Sequence, residues 1–302
     1  MQNNTTIVAL LQTLSVLAGS CSGCSSSGSF DERTENLNKG TLTIYADTAY
    51  AMIVGELIQS YENVYPESHI TAVYTSDAEV MQALMDDKAR MAITGHGLTK
   101  AQEQELTRRQ EVEPEQYIIG REAIALIASY IFPDNIFDFD AFLQGGSPVS
   151  TYAYVFNQEN SNMVSELLGT AGAQNNMFSL ENADTVIGYV SRKSDAIGLI
   201  SFATISDFDD PAVQEILKKV KVLAVANSDS TGKKIVTPLS QSTIASNDYP
   251  FQRYVTVIKG NTPELLGTGF VNFLYRSKAS RIMLKAGLVP EKMPERQVKI
   301  VE

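Results

Sequence analysis

The sequence predicts an α/β protein of two lobes, with mixed, mainly parallel sheets flanked by helices. Three observations predict it. From Thr41 onward, short β-branched runs alternate with segments of helical spacing, the pattern of strands covered by helices on both faces. Tyr117–Ser129 (YIIGREAIALIAS) is an apolar run long enough to pass from one lobe to another. A late strand at Thr256–Ile258, followed by two apolar helical segments, lets the end of the chain return to the first lobe.

The elements follow in order. Thr41–Ala46 is rich in Thr, Ile and Tyr, as strands are. Ala51–Val64 places Met52, Ile53, Leu57, Ile58 and Val64 at helical spacing, with Pro66 just past its end. His69–Thr75 is a second strand and Asp77–Lys88 a second helix, with Val80, Met81, Leu84 and Met85 on one side. Met91–Thr94 is a short strand, and Lys100–Glu111 a charged, exposed helix. After the long apolar run come a helix at Asp138–Leu143, a strand at Thr151–Asn157, and helices at Asn162–Leu168 and Asp184–Ser191. Strands at Ala196–Phe202 and Lys221–Ala226 precede the return strand. Thr262–Tyr275 and Ala279–Ala286 are the closing helices. The expected first lobe is 40–120 plus 232–302 and the second 121–231.

The 302 residues carry a formal net charge of −11, and hydrophobic residues make up 44%. So acidic a chain lacks the basic surface that nucleic acid demands. Residues 1–20 contain no charged side chain, and Ile7–Leu17 is an apolar run of signal-peptide length. Ala18, Gly19 and Ser20 lead into Cys21, and Cys24 follows. The segment resembles a bacterial lipoprotein signal, in which Cys21 or Cys24 becomes the lipidated first residue. The basic residue expected near its start is missing. Residues 21–39, Ser- and Gly-rich, read as a flexible tether. These two are the only cysteines, so no disulfide is expected in the fold. With His69 and His96 the only histidines, no zinc site is expected either.

The order of motifs resembles the phosphate-binding periplasmic proteins, which have the type II solute-binding fold and serve ABC transporters. The likeness runs from Thr41 to Pro290. It is carried by Ala46-Asp47-Thr48-Ala49 after the first strand, Tyr65-Pro66 after the first helix, and Thr75-Ser76-Asp77-Ala78 after the second strand. Arg90–Gly95, Ala196–Leu199, Tyr249–Arg253 and Gly287–Pro290 continue it. The resemblance implies a ligand held by Asp47, Thr48, Ala49, Ser76, Asp77, Thr94 and Gly95 of one lobe. From the other lobe come Asn157, Ser161 and Asn162. Strand ends that open helices aim free N–H groups at an anion, and such ligands sit beyond the carboxyl ends of strands. Thr48, Ser76 and Thr94 each also read as an ordinary helix cap, and Asp47 and Asp77 as exposed N-cap carboxylates.

This chain departs from the family after the third strand and in the second-lobe loop, where Asn162 and Met163 also stand for the family's Gly and Thr. The family's aspartate after the third strand reads Gly95, and the arginine of its second-lobe loop reads Asn157. Asp47 and Asp77 add carboxylates where an anion would sit. Asp47 offers a replacement proton acceptor, and His96 a cation or a solvent-facing loop residue. Arg121 and Arg192 are candidates for a replacement guanidinium. No G-x-S-x-G elbow, P-loop or H-E-x-x-H is present. The expectation is a binding protein, not an enzyme, with no cofactor. It is an exported, lipid-anchored monomer of the periplasm or cell envelope that hands phosphate or a related oxyanion to an ABC permease. A neutral or cationic ligand, or a role as sensor or adhesin, is the alternative.

Overall fold

The computed structural model describes residues 36–144, 153–157, 163–166, 168, 176–260 and 265–294, and of Asn157 the backbone alone. The expected signal segment, Cys21, Cys24, Ser161 and Asn162 lie outside the described residues. Among the described residues no helix is long and apolar enough to cross a membrane.

The first sheet is built by strand–helix–strand crossovers. β1 (Gly40–Asp47) leads through a 3-10 turn (Thr48–Tyr50) into α1 (Ala51–Val64), and β2 (Ser68–Thr75) returns beside β1. α2 (Asp77–Met85) then carries the chain to β3 (Met91–Thr94), on the other side of β1. Both pairings are parallel, with Gly40 opposite Ser68 and Ile44 opposite Met91, as crossovers of this length require. His69 is exposed on β2, an edge strand.

α3 (Lys100–Gln110) leads to β4 (Glu115–Ser129), the strand predicted from the long apolar run. β4 pairs antiparallel with β12 (Gln252–Lys259) along Glu115–Ala123, then with β8 (Ala196–Ser201) along Ile124–Ala128. One strand therefore belongs to two packed regions. The full order is β2-β1-β3-β12-β4-β8-β6-β7, where β6 is Ala153–Asn157 and β7 is Asn176–Leu180. Parallel pairs belong to the crossovers on each side, and the antiparallel pairs gather on β4 and β12.

The remaining elements cover these sheets. β5 (Ile136–Asp138) precedes α4 (Phe139–Leu143), and α5 (Ala183–Val190) precedes β8. α6 (Pro211–Leu217) follows, with Asp210 as N-cap and proline in its first turn. The expected strand at Lys221–Ala226 is two strands, β9 (Val220–Val222) on β4 and β10 (Ala224–Ser228) on β5. Leu223, fully buried between them, gives its N–H to Leu126 O at 2.8 Å, which turns the chain from one sheet to the next. β11 (Lys234–Thr237), a hairpin partner of β10, leads to α7 (Gln241–Ala245). Short exposed stretches such as Lys234–Val236 carry little periodic signal, and β5, β7, β11, α6 and α7 went unpredicted for that reason.

The chain closes with α8 (Leu265–Leu274), α9 (Ser277–Lys285) and β13 (Val289–Pro290) on β4. Phe270 and Phe273 of α8 pack edge-on to Tyr61 of α1, at 5.4 and 5.3 Å between ring centroids. Ile44, Leu57, Val257 and Met283 complete that core. A separate core gathers Ile124–Ala128, Tyr154, Val186, Ile197 and Phe251. Gly198 of β8 is fixed by packing: a Cβ there would lie 2.8 Å from Ile127 and 3.0 Å from Val186, so only glycine lets α5 approach. The end of the expected tether is docked. Leu37 O accepts from the Tyr61 hydroxyl at 2.5 Å, and Lys39 pairs with Glu67 at 2.7 Å.

Phe270 is fully buried. Phe270→Ala is expected to cost about 3–5 kcal/mol in urea unfolding, the sum of lost transfer energy and the cavity left behind.

Candidate functional site

At the carboxyl ends of β1, β2 and β3 the chain gathers charge. Asp47 ends β1 and is 7% exposed. Its Oδ1 accepts from Ala49 N–H at 3.1 Å, capping the 3-10 turn. Burial raises the Asp47 carboxyl above its usual value. The Ala49 hydrogen bond pulls it back, Asp77 pushes the same way as burial, and Arg253 and Glu122 act with opposite signs. Asp47, Asp77, Glu122 and Arg253 thus share one electrostatic neighbourhood.

The other first-region candidates have defined partners. Thr48, exposed, donates its hydroxyl to Thr75 O at 3.1 Å, tying the β1 and β2 loops together. Ser76 caps α2 in a capping box with Glu79. Thr94 is fully buried and donates to His96 O at 2.5 Å, so its hydroxyl is already spent; the cap of α3 is Thr99. Ala49 spends its N–H on Asp47. Asp77 receives His96 Nε2 at 2.7 Å through Oδ2, while its buried Oδ1 has no partner among the described residues. Asn157 ends β6; its side chain, with Ser161 and Asn162, lies outside what the structure describes.

Arg253 is the residue that the sequence did not single out. It sits on β12 opposite Glu122 of β4, and both are nearly buried, at 8% and 9% exposure. Its Nε donates to Glu122 Oε1 at 2.5 Å and its Nη2 to the Tyr50 hydroxyl at 3.2 Å; Tyr50 in turn donates to Glu122. Nη1 reaches Glu166 Oε2 at 3.4 Å. Glu166 is in the helical residues 163–166 that follow the expected second-lobe loop. The described residues engage three of the five guanidinium N–H groups.

Gly95 has its reason here. A Cβ at this position would lie 2.3 Å from Arg253 Cζ and 2.6 Å from Nε. The guanidinium fills the space beyond β3 where a side chain would otherwise start. The signal was in the Tyr249–Arg253 motif, whose arginine sequence reading left without a role. Of the two arginines proposed instead, Arg121 is anchored to Ala245 O and Glu291, and Arg192 is exposed.

The model of the PBP superfamily domain matches residues 31–278. The chain belongs to the PBP superfamily. Similar solved structures include an ABC-type phosphate transport receptor from Vibrio cholerae, at 16% identity. That likeness covers 82% of this chain and 99% of that one, with a TM-score of 0.63. PstS from Borrelia burgdorferi is similar at 15% identity, over 83% and 99% of the two chains, with a TM-score of 0.61. A putative phosphate ABC transporter substrate-binding protein from Clostridium perfringens, with bound phosphate, is similar at 14% identity over 83% and 99%, with a TM-score of 0.59. No curated protein sequence matches the chain. At these identities the likeness establishes the periplasmic-binding-protein type II architecture of this PBP superfamily member, and the ligand is a separate question.

Two outcomes test the site. Arg253→Ala is expected to cost about 3–5 kcal/mol in chemical denaturation, because it leaves Glu122 buried and uncompensated. Combining it with Glu122→Gln is expected to restore most of the loss. Separately, the hydrogen bond to Asp77 raises His96 from 6.5 to about 9, against the opposing effect of burial. A histidine raised on folding contributes stability that is full below about pH 6.5 and is lost as pH climbs through about 9. The imidazole resonances of His96 in an NMR titration are expected to show the raised midpoint, and Asp77→Asn to bring it down.

Proposed function

We propose that this PBP superfamily member is the solute receptor of an ABC-type importer, capturing phosphate or a related oxyanion in protonated form. In this reading the chain is exported and lipid-anchored through Cys21 or Cys24. It is a binding protein rather than an enzyme, and it delivers its ligand to a membrane permease. The observation that carries the reading is the Arg253 guanidinium, held over Gly95 at the strand ends beside Asp47. A guanidinium with N–H groups to spare suits a tetrahedral oxyanion, and a buried carboxylate, which accepts, suits the donating hydroxyl of a partly protonated one. In this assignment Arg253 and Asp47 supply what Asn157 and Gly95 do not.

The reading also assigns two lobes, 40–120 plus 232–302 and 121–231, that close on the ligand. The core that holds Leu42, Ile44 and Phe270 agrees with it, whereas the core around Ile124–Ala128 also takes in Ile244, Tyr249, Phe251 and Val289 of the returning segment. Glu166 then acts as a latch: it belongs to the second lobe and its carboxylate meets Arg253 of the first at 3.4 Å. A second reading, a neutral or cationic solute in the same cleft, is favoured by a specific count. Among the described residues, Asp47, Asp77, Glu122 and Glu166 face Arg253 and His96. That surplus of carboxylates opposes a fully ionised oxyanion.

Calorimetry with inorganic phosphate separates the two. Binding is expected to be tighter at pH 6 than at pH 8, as the ligand loses the proton that Asp47 accepts. Asp47→Asn is expected to weaken it by about 1.5–3 kcal/mol, the range for hydrogen bonds to charged groups. Absence of phosphate binding at both pH values, or tighter binding in Asp47→Asn, would reject the protonated-oxyanion reading in favour of the second.

A further inference from the structure

β4 leaves the cleft at Glu122, runs through the core around Ile124–Ala128 and ends at Ser129, where a turn begins. The turn is braced from several sides. Phe132 N–H donates to Ser129 O at 3.0 Å and Ile131 N–H to Ser129 Oγ at 3.3 Å. Ser129 Oγ donates to Ser191 O at 3.2 Å, at the end of α5. The Tyr130 hydroxyl donates to Leu217 O at 2.5 Å, at the end of α6. Yet this well-held turn leaves Tyr130 and Ile131 60% and 67% exposed. Neither side chain lines the cleft that holds Gly95, Glu166 and Arg253. Ser129 is seven residues past Glu122, about 23 Å along a strand, so the turn is remote from that cleft.

The elements that brace the turn bring cations to it. Arg192 and Lys193 follow Ser191, and Lys218 and Lys219 follow Leu217; all four are exposed. Lys193 Nζ lies 5.7 Å from the centre of the Tyr189 ring. Lys218 pairs with Glu215 at 2.5 Å, and Glu215 also feels Lys219. Lys221 stands opposite Ala128 and braces the turn from below, donating to Phe132 O at 2.7 Å and Asn135 Oδ1 at 2.8 Å. The carboxylates at this end are Asp134, Asp195 and Glu215. Five cations thus face three carboxylates here, although the whole chain has 24 basic and 35 acidic residues. The sign of charge around the turn is the reverse of that of the molecule.

Two apolar side chains on a turn cover far too little for a stable protein–protein interface, which takes about 800 Å² from each partner. They suffice for a bilayer surface. Tyrosine settles at the level of the headgroups, an aliphatic neighbour reaches the acyl boundary, and long cationic side chains turn back to the headgroups. Anionic lipid attracts each such cation. We infer that the Tyr130–Ile131 turn, ringed by Arg192, Lys193, Lys218 and Lys219, is a docking surface for an anionic lipid bilayer. Charge complementarity names the lipid class, and the small apolar tip names a bilayer rather than a protein. The surface is independent of the oxyanion reading and of lipidation at Cys21 or Cys24.

The chain has no tryptophan, so Ile131→Trp places a single fluorophore at the tip, on a side chain already in solvent. Emission from the full chain is followed as vesicles are added, of phosphatidylcholine alone or mixed with phosphatidylglycerol. With the mixed vesicles the emission is expected to move to the blue and to gain protection from acrylamide, and with phosphatidylcholine alone to stay unchanged. Added salt is expected to reverse the shift. In the same background, Arg192→Gln, Lys193→Gln and Lys219→Gln are each expected to weaken vesicle binding about fivefold, the scale for one cation at an anionic surface. All three are exposed, so the fold survives these changes. Unchanged emission while the chain sediments with mixed vesicles would mean that another segment binds them, and would overturn the inference. So would an equal shift with both kinds of vesicle, or binding that all three charge variants leave intact. A shift that grows with protein concentration in the absence of vesicles would assign the turn to a second copy of the chain and overturn it too.

Discussion

The Arg253–Glu122 ion pair is the constraint around which the rest of the cleft is arranged. It is made across β12 and β4, the two neighbours at the middle of the strand order. Taking two charges out of water costs so much that a buried pair seldom adds net stability, yet breaking one is severe. Its value here is position. The Tyr50 hydroxyl closes the pair from the start of α1, and Glu166 meets it from the opposite side. Three distant stretches of chain are thereby tied to one guanidinium, and Gly95 is glycine because that guanidinium is where it is.

β4 makes such a junction possible. Its first part is paired with β12 and its last part with β8 and β9, so the two larger cores among the described residues meet on the same strand. The residues at the changeover, Arg121, Glu122 and Ala123, sit between them. Arg121 and Glu122 point to opposite faces, as neighbours on a strand must. Ser76 is the helix cap that the sequence also offered, while the Thr94 and Thr48 hydroxyls brace loops, on His96 O and Thr75 O.

Much of this was legible in the sequence. The apolar spacing of Ala51–Val64 gave α1 with its observed bounds, and Tyr117–Ser129 marked the strand shared by both cores. These signals are periodic and local, and burial of one face enforces them. The motif order from Thr41 to Pro290 carried the fold. What was not legible was partnership. The sequence showed a missing arginine at Asn157 and a missing aspartate at Gly95, but it could not show that Arg253 occupies the space beyond Gly95. Residues 95 and 253 meet only because β12 pairs with β3 and β4. Glu122 and Glu166, 131 and 87 positions from Arg253, were invisible for the same reason. The sequence by itself determined the class of fold and the strand ends at which chemistry collects, since these follow from the pattern of apolar residues along the chain. The tertiary structure alone decided which charges face one another, because a side chain's partner is set by strand register and packing between segments far apart in sequence.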